Sequence, residues 1–352
     1  MKDLHPNKSP GIDGIHPRVL KELAEVLVKP ITIIYKKSLA ECELPQHWKE
    51  ATITPIFKKG DRTRAENYRP VSLTSLICKI LEKLIVAQII KHVKANQHMS
   101  KQQHGFTTGK SVTTNLLEAL NIWTEALSHN IPVDVLYLDY RKAFDCVPHQ
   151  RLIRQVESFG ITGDALRWLS AFLSGRRQKV MVNGSESSWS DVLSGVPQGS
   201  ILGPVLFSLF VNDLPGEIQS LISLFADDTK LYLPVPTDEA AAQLAEDLAT
   251  LERWAERMQM KFHPLKCKIM HLCSNNQRHN YMMKKDDGSY HTLESTTVEK
   301  DLGVFIDTSL SFTNHCQNKV NTANKILGCI RHTFKNMDAE IFLLLYKSMV
   351  TW

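Results

Sequence analysis

The amino-acid sequence predicts an α+β fold, on three observations. Apolar residues recur at helical spacing over long segments such as 112–128 and 238–257. Short apolar runs, of which residues 133–138 are the clearest, are typical of strands. These strands do not alternate polar and apolar residues, and no internal repeat or low-complexity tract is visible. The mixture of helices with such strands favours an α+β arrangement.

The first half of the chain is predicted to contain four long helices and two strands. Leu20 to Ile34 carry apolar residues at helical spacing, and Pro30 is expected to divide them into two helices. A strand over 51–57 and a polar basic loop lead to a helix from about 72 to 94. The fourth helix covers 112–128, and the strand over 133–138 is β-branched and nearly all apolar, which is typical of a buried strand.

The second half continues the mixed pattern. Two helices near 150–159 and 165–173 precede a hairpin turned at Asn183-Gly184. An apolar helix then ends near Leu214. The remaining predicted elements are an Ala/Glu-rich helix over 238–257, a strand over 267–272, a polar surface loop over 274–294, a strand over 302–306, and helical patterns to the end.

Composition excludes several classes of protein. The chain has 352 residues and 43% hydrophobic content, enough for a large core and two or three subdomains. No apolar run is long enough to span a bilayer, and no secretion signal is visible, so we expect a protein of the nucleus or cytoplasm, neither secreted nor in a membrane. Seven scattered cysteines without CxxC spacing favour reduced thiols. The net charge of +5 permits a nucleic-acid partner without requiring one.

Carboxylates at two strand ends are the first candidates for a functional site. Asp227 and Asp228 stand side by side between apolar runs at 221–225 and 231–233, which predicts a hairpin with two acids at its tip. Alone, the pair favours an ordinary turn, because Asp bonds its own backbone there. Asp139 ends the buried strand, and alone a helix N-cap or a surface ion pair would be the favoured explanation for it. Nucleotide polymerisation with two metal ions needs acids from more than one strand end, which these residues would supply.

Basic residues crowd two short stretches, and each stretch alone is typical of a solvated loop. They are Lys58, Lys59, Arg62, Arg64 and Arg69 in the first, and Arg176, Arg177 and Lys179 in the second.

Eight segments in a fixed order make the chain similar to one known family. Together they resemble the reverse transcriptases of non-LTR (LINE-type) retrotransposons, closest to the jockey-like group. The segments are NKSPGIDGI (7–15), TPIFKKGD (54–61), ENYRPVSLTS (66–75), LYLDYRKAFDCVPH (136–149), SGVPQGSILGPVLFSLFVNDLP (194–215), FADDTKLY (225–232), MKFHPLKCKIMHL (260–272) and KDLGVFID (300–307).

The resemblance implies roles for the acids. Asp139 and Asp227 correspond to the principal ligands of two Mg²⁺ ions, with Mn²⁺ as an alternative, and Asp228 corresponds to a third acid. Adjacent residues of an extended strand point to opposite faces, so Asp228 reaches the same metals only through the turn. Lys266 resembles the lysine thought to protonate pyrophosphate, against the alternative of an exposed surface lysine. His263 stands where the family usually has Asn, which puts the turn before Lys266 in doubt.

The resemblance also implies nucleotide and primer contacts. Lys58 and Arg69 resemble residues that grip the triphosphate, with Lys59 as an alternative to Lys58. Phe144 falls where the family excludes a 2′-hydroxyl by aromatic volume, against the alternative of core packing. Gln198 resembles a contact to the incoming nucleotide. Leu302 and Gly303 resemble the loop that supports the primer end.

The implied fold is a right-hand polymerase, with fingers over 1–130, palm over 131–310 and a truncated thumb over 311–352. The implied function is RNA-directed DNA polymerase, with RNA template, DNA primer and dNTP as partners. No endonuclease or zinc knuckle is visible, so we expect a fragment. Two alternatives remain: another templated polymerase, such as a group II intron or telomerase-like enzyme, and an inactive or domesticated nucleic-acid-binding relic.

Overall fold

The computed structural model describes residues 1–58, 60–96 and 98–350, which form helices and strands in the expected mixture. The α-helices are α1 (Pro17–Glu22), α2 (Ala24–Glu41), α3 (Gln46–Lys49), α4 (Leu76–Ala95), α5 (Val112–Ser128), α6 (Ala143–Cys146), α7 (His149–Ser158), α8 (Gly163–Leu173), α9 (Leu202–Phe210), α10 (Asp238–Met258), α11 (Thr313–Thr333) and α12 (Ala339–Met349). The strands are β1 (Glu50–Phe57), β2 (Tyr68–Leu73), β3 (Val133–Leu138), β4 (Arg176–Val182), β5 (Ser185–Glu186), β6 (Ser190–Val192), β7 (Leu221–Phe225), β8 (Asp228–Pro234), β9 (Lys268–Leu272), β10 (Met282–Lys284), β11 (Tyr290–Thr292), β12 (Glu294–Ser295), β13 (Val298–Asp301) and β14 (Val304–Asp307).

The strands assemble into two larger sheets and two separate hairpins. The first sheet has the order β2-β1-β4-β5, with β6 also paired to β4. The second has the order β12-β9-β3-β8-β7, so β3 is its central strand and runs antiparallel to both β8 and β9. β10 pairs with β11, and β13 pairs with β14.

The central strand β3 is buried on both faces, which explains its uninterrupted apolar sequence. Val133 and Val135 pack in a cluster with Trp123 of α5. Leu136 and Leu138 face the other way, into the larger cluster that includes α9 and α10. The alternation of side chains along a strand therefore sends odd and even positions of β3 into two different cores.

The first sheet joins segments from both sides of residue 130. β1 pairs antiparallel with β2 and parallel with β4, in a register that sets Thr52 against Lys179. The predicted boundary at residue 130 therefore does not separate one sheet from the other.

Two predicted helix limits were wrong. Pro30 lies inside α2 rather than between two helices, and the break falls at Leu23. A proline removes one helical hydrogen bond, but burial of Ile31 and Tyr35 holds the rest of α2 in place. The helix expected from residue 72 begins at Leu76, since residues 68–73 pair with β1 instead.

The segment over 274–294 is packed rather than a plain surface loop. It contains β10 and β11, and Tyr281 is fully buried. Asp134, at the start of β3, is 0% exposed and accepts hydrogen bonds from Tyr281 Oη at 2.7 Å and from Asn276 Nδ2 at 2.8 Å. His271 Nδ1 lies 2.7 Å from the same carboxylate. The strands β10 and β11 have only three residues each, too few to show a periodicity, and contacts with Asp134 of β3 hold the segment in place.

Across the part of the chain that the structure describes, no helix is both long enough and apolar enough to cross a membrane.

Candidate active site

Strand register brings two of the predicted acids together. The last ladder pair between β3 and β8 sets Leu138 against Thr229, so one further step sets Asp139 opposite Asp228. Residues opposed in an antiparallel pair share a face, with Cβ atoms about 4.5–5.5 Å apart. Asp139, Asp228 and the predicted residue Lys266 line one cavity of about 330 Å³. The two acids therefore reach the same space from neighbouring strands.

Asp227 occupies the turn between β7 and β8. Phe225 pairs with Asp228, which leaves Ala226 and Asp227 as a two-residue loop. Ala226 has a φ of 55°, in the left-handed region that favours glycine in such turns. The turn therefore depends on support from its surroundings.

That support comes from residues 102–105, which the sequence analysis did not single out. Gln103 is fully buried, and its Oε1 accepts hydrogen bonds from Ala226 N at 3.1 Å and from Gly105 N at 2.7 Å. The backbone of His104 donates to Leu224 O at 2.8 Å. A Cβ added at Gly105 would lie 2.5 Å from Ala226 N. The segment has no periodicity, so only its glycine could have drawn attention to it.

Each acid of the turn meets a different cationic environment. Burial raises the pKa of Asp227, the charge of Asp139 adds to the rise, and Arg69 and Lys58 oppose it. Burial and the charges of Asp227, Asp301 and Asp139 raise the pKa of Asp228 to about 6, and Lys230 opposes that rise. Acidic groups thus cluster at the tip, and the charges of Arg69 and Lys58 act on Asp227.

Arg69 and Lys58 lie at the end of the β1–β2 hairpin. Arg69 pairs with Ile56, and Lys58 N donates to Asn67 O at 2.9 Å. Both side chains are exposed. Lys59, the predicted alternative to Lys58, lies outside the described residues.

The chain segments that contain Phe144 and Gln198 are joined by backbone and side-chain hydrogen bonds between their neighbours. Phe144 O accepts from Val196 N at 2.7 Å, and Gln198 Nε2 donates to Asp145 Oδ1 at 2.8 Å. Gln198 O accepts from Ser72 N of β2 at 2.7 Å. Gln198 lines a second cavity of about 410 Å³, between the first sheet and α6.

The ring of Phe144 also has a structural partner. It is partly buried and stacks on Phe207 of α9, with ring centroids 4.5 Å apart and planes at 20°. Phe207 is fully buried, so one role of Phe144 is to close the core beside α6. This contact favours the core-packing alternative without excluding the nucleotide contact.

Lys266 lies beside Asp139, on the turn that precedes β9. Its Nζ is 3.7 Å from Asp139 Oδ2, and its side chain is 63% exposed at the wall of the same cavity. His263 N donates to Asp139 O at 2.7 Å, and Lys266 N donates to His263 O at 2.8 Å. The turn is therefore intact with histidine at this position.

Leu302 and Gly303 form the turn between β13 and β14. Leu302 has a φ of 45° and Gly303 a φ of 96°. Leu302 lines the cavity that contains Asp139 and Asp228. The β13–β14 turn thus forms part of the wall of that cavity.

The acids match the ligand preference of Mg²⁺ but do not form a complete cage. Within residues 1–58, 60–96 and 98–350, no group of three or more His, Cys, Asp or Glu side chains is arranged to hold a metal ion. Mg²⁺ keeps several waters and is typically bound through one or two carboxylates plus substrate phosphates. Asp139, Asp227 and Asp228 fit that incomplete donor set.

Comparisons with known proteins agree on one family. Residues 56–329 match the family described as reverse transcriptase (RNA-dependent DNA polymerase). The chain is 30% identical, over its whole length and 38% of the relative, to the "Probable RNA-directed DNA polymerase from transposon BS" of Drosophila melanogaster. It is also 30% identical, over 89% of the chain and 35% of the relative, to the "RNA-directed DNA polymerase from mobile element jockey" of Drosophila funebris. The chain thus spans little more than a third of these relatives.

The support of the turn by residues 102–105 can be tested with Gly105→Ala. The added Cβ meets backbone at Ala226 that has no room to move, so we expect a loss of about 1–3 kcal/mol of unfolding free energy in urea denaturation. Gly328→Ala is the matched control, because its added Cβ in α11 would meet no other part of the described structure within 4 Å; helix propensity predicts a gain of up to about 1 kcal/mol. Equal stability of the two variants would contradict the close approach.

The raised pKa of Asp228 predicts a pH-dependent gain in stability for Asp228→Asn. Since the folded-state pKa of about 6 lies above the ordinary 3.8, the wild-type protein loses stability as the pH rises between these values. Asparagine removes the ionised form, so its melting temperature in EDTA should exceed that of the wild type at about pH 7.5 and converge with it at about pH 4. Asp3→Asn, at an exposed acid, should show no such difference. A variant that is less stable at about pH 7.5 would refute the prediction.

Proposed function

The chain belongs to the reverse transcriptase family, and from that premise we propose that it catalyses RNA-templated DNA synthesis. In the proposed reaction, the 3′-hydroxyl of a DNA primer attacks the α-phosphate of a dNTP and releases pyrophosphate. The observation that carries the proposal is the β3–β8 register, which sets Asp139 opposite Asp228, with Asp227 in the adjoining turn. Acids from two strands thus meet at one cavity, next to basic residues suited to phosphate.

The three acids would hold two divalent cations together with the substrate phosphates. When bound, Mg²⁺ or Mn²⁺ would lower the pKa of the primer hydroxyl and neutralise charge on the leaving pyrophosphate. The raised pKa values of Asp227 and Asp228 support this role, because negative charge that is not balanced by the protein favours a cation. Asp139 and Asp228 would act from the cavity side and Asp227 from the side of Arg69.

Lys58 and Arg69 would bind the triphosphate. Arg can donate two parallel hydrogen bonds to a phosphate, whereas Lys acts as a point charge. Their influence on the pKa of Asp227 supports this role, since a triphosphate between them and the acids would meet both charges. Lys266 would deliver a proton to pyrophosphate, and its exposed ammonium beside Asp139 leaves it free to do so.

Gln198 and Phe144 would meet the nucleotide's sugar and base. Hydrogen bonds to Asp145 and to Ser72 fix Gln198 between α6 and β2, beside the second cavity. Phe144 would exclude a 2′-hydroxyl by the volume of its ring, and its stack on Phe207 would keep that ring in one orientation.

We assign the fingers, palm and thumb of a right-hand polymerase from the family membership and the order of the sheets. The fingers take residues 1–130 and also 176–192, because β4 and β6 complete the first sheet. The rest of 131–310 is the palm, and 311–352 begins the thumb. The partners would be the RNA of a non-LTR (LINE-type) retrotransposon as template and DNA as primer, in the nucleus or cytoplasm.

Primer extension by the purified chain tests the proposal. With Mg²⁺ and an oligo(dT) primer on poly(rA), the wild type should incorporate dTTP, and Asp227→Asn should lose at least about a thousandfold in rate, about 4 kcal/mol of barrier. Asp287→Asn, at a fully exposed acid of the β10–β11 hairpin, is the matched control and should keep the wild-type rate. No incorporation by the wild type, with retained binding of the primed template, would favour the relic without catalysis.

Sugar selection tests the role of Phe144. Phe144→Ala should admit ribonucleotides, lowering the ratio of kcat/KM for dTTP over UTP by at least about tenfold, because the volume that opposes the 2′-hydroxyl is gone. Phe334→Ala removes an exposed ring just after α11 and should leave the ratio unchanged. If Phe144→Ala lowers the melting temperature but leaves the dTTP/UTP ratio of kcat/KM unchanged, Phe144 serves only to pack the core.

A further inference from the structure

Lys230 carries a buried positive charge two residues beyond Asp228. Its side chain is 5% exposed, and its Nζ lies 2.8 Å from Oδ2 of Asp301, whose side chain is 4% exposed. The same ammonium donates to Asn115 Oδ1 at 2.8 Å and lies 5.9 Å from the ring centre of Trp123. Three elements, β8, β13 and α5, thus meet at one charged group.

The position of this ion pair relates it to the proposed active site. Lys230 pairs with Tyr137 in the β3–β8 ladder, and it lies on the same face of β8 as Asp228. Asp301 is the last residue of β13, directly before the turn at Leu302. All of these residues line the cavity of about 330 Å³. The ion pair therefore connects β8, the strand that carries Asp228, to the β13–β14 hairpin on the wall of the same cavity.

Apolar packing also links the β13–β14 hairpin to the second sheet, since Ile306 of β14 is fully buried in the cluster that contains Val133 and Val135. Among the strands that the structure describes, β13 and β14 pair only with each other. A second ion pair joins Lys268 of β9 to Glu299 at 3.0 Å, but these side chains are 34% and 22% exposed. Water and salt weaken such a pair, whereas a buried, hydrogen-bonded pair tolerates little displacement. The Lys230–Asp301 pair thus links the Leu302 end of the hairpin to β8 through two buried, charged groups.

We propose that Lys230 is a positioning residue, which through Asp301 holds the Leu302–Gly303 turn against the primer end so that the 3′-hydroxyl lies at Asp139 and Asp228. This inference rests on the proposed function and extends it to a residue that touches neither metal nor substrate. A misplacement of about 1 Å at a reacting atom costs up to about a hundredfold in rate. Loss of the pair should therefore slow the chemical step more than it weakens nucleotide binding.

Hydrogen–deuterium exchange tests the link without requiring activity. In Lys230→Met and in Asp301→Asn, amides of residues 298–307 should exchange at least about tenfold faster than in the wild type, while those of β3 keep their protection. Lys268→Met is the matched control, since it breaks the more exposed pair to the same strand; its effect on 298–307 should stay below about threefold. Wild-type exchange over 298–307 in both Lys230→Met and Asp301→Asn would overturn the proposal.

Rapid-quench incorporation of one dNTP tests the consequence for the reaction. Lys230→Met and Asp301→Asn should each show a burst rate at least about tenfold lower than that of the wild type. Their dNTP Kd should stay within about twofold of the wild-type value. A purely structural role would lower the burst amplitude and leave the rate unchanged, which would refute the positioning role. Asp301→Asn has nearly the shape of the original residue and serves if Lys230→Met does not fold. An inactive wild type would refute the proposed function alone, since the exchange experiment still reports on the ion pair.

Discussion

The antiparallel register of β3 against β8 is the constraint on which the rest of the site depends. A slip of one residue would send every side chain of β8 to the opposite face, and Asp228 would leave the cavity. Two features fix the register. The two faces of β3 are buried in different clusters, so Val135 and Leu136 cannot exchange environments without exposing or overpacking a core. Gln103 then holds the turn through Ala226 N, where the backbone is left-handed.

Burial and neighbouring charges act together on the two acids of the turn. Burial and neighbouring acids raise the pKa of both Asp227 and Asp228, so the ionised site opposes folding near neutral pH. Perturbed pKa values of this kind are common among the carboxylates of functional sites. The nearest cations divide between the two sides: Arg69 and Lys58 act on Asp227, whereas Lys230 acts on Asp228 and is neutralised by Asp301. The two neighbouring acids of the turn therefore meet different basic residues.

Local sequence patterns correctly predicted the helices and strands that are determined by the residues within them. The strand at 133–138 and the helix at 112–128 have the predicted bounds, and the hairpin turns at Asn183-Gly184. The predictions that were wrong concern segments held by contacts distant in sequence. α2 continues through Pro30 because one face of the helix is buried, and the segment predicted as a surface loop is held by the hydrogen bond from Tyr281 to Asp134.

For the site, the sequence indicated the acids and their strand ends. It could not indicate that Gln103 supports the turn, or that Lys230 is buried, because a lysine within a strand normally faces solvent and its partner lies 71 residues away.

The most direct measurement of the central claim is cleavage of the protein backbone by Fe²⁺ in place of Mg²⁺, with ascorbate and peroxide, in the complex with primed template and dNTP. Radicals formed at the bound ion cut the nearest backbone. If Asp139 and the Asp227–Asp228 turn hold the cations, cuts should fall near residue 139 and near residues 226–228, and excess Mg²⁺ should suppress them. Cuts elsewhere, or cuts near these residues that Mg²⁺ does not suppress, would contradict the account.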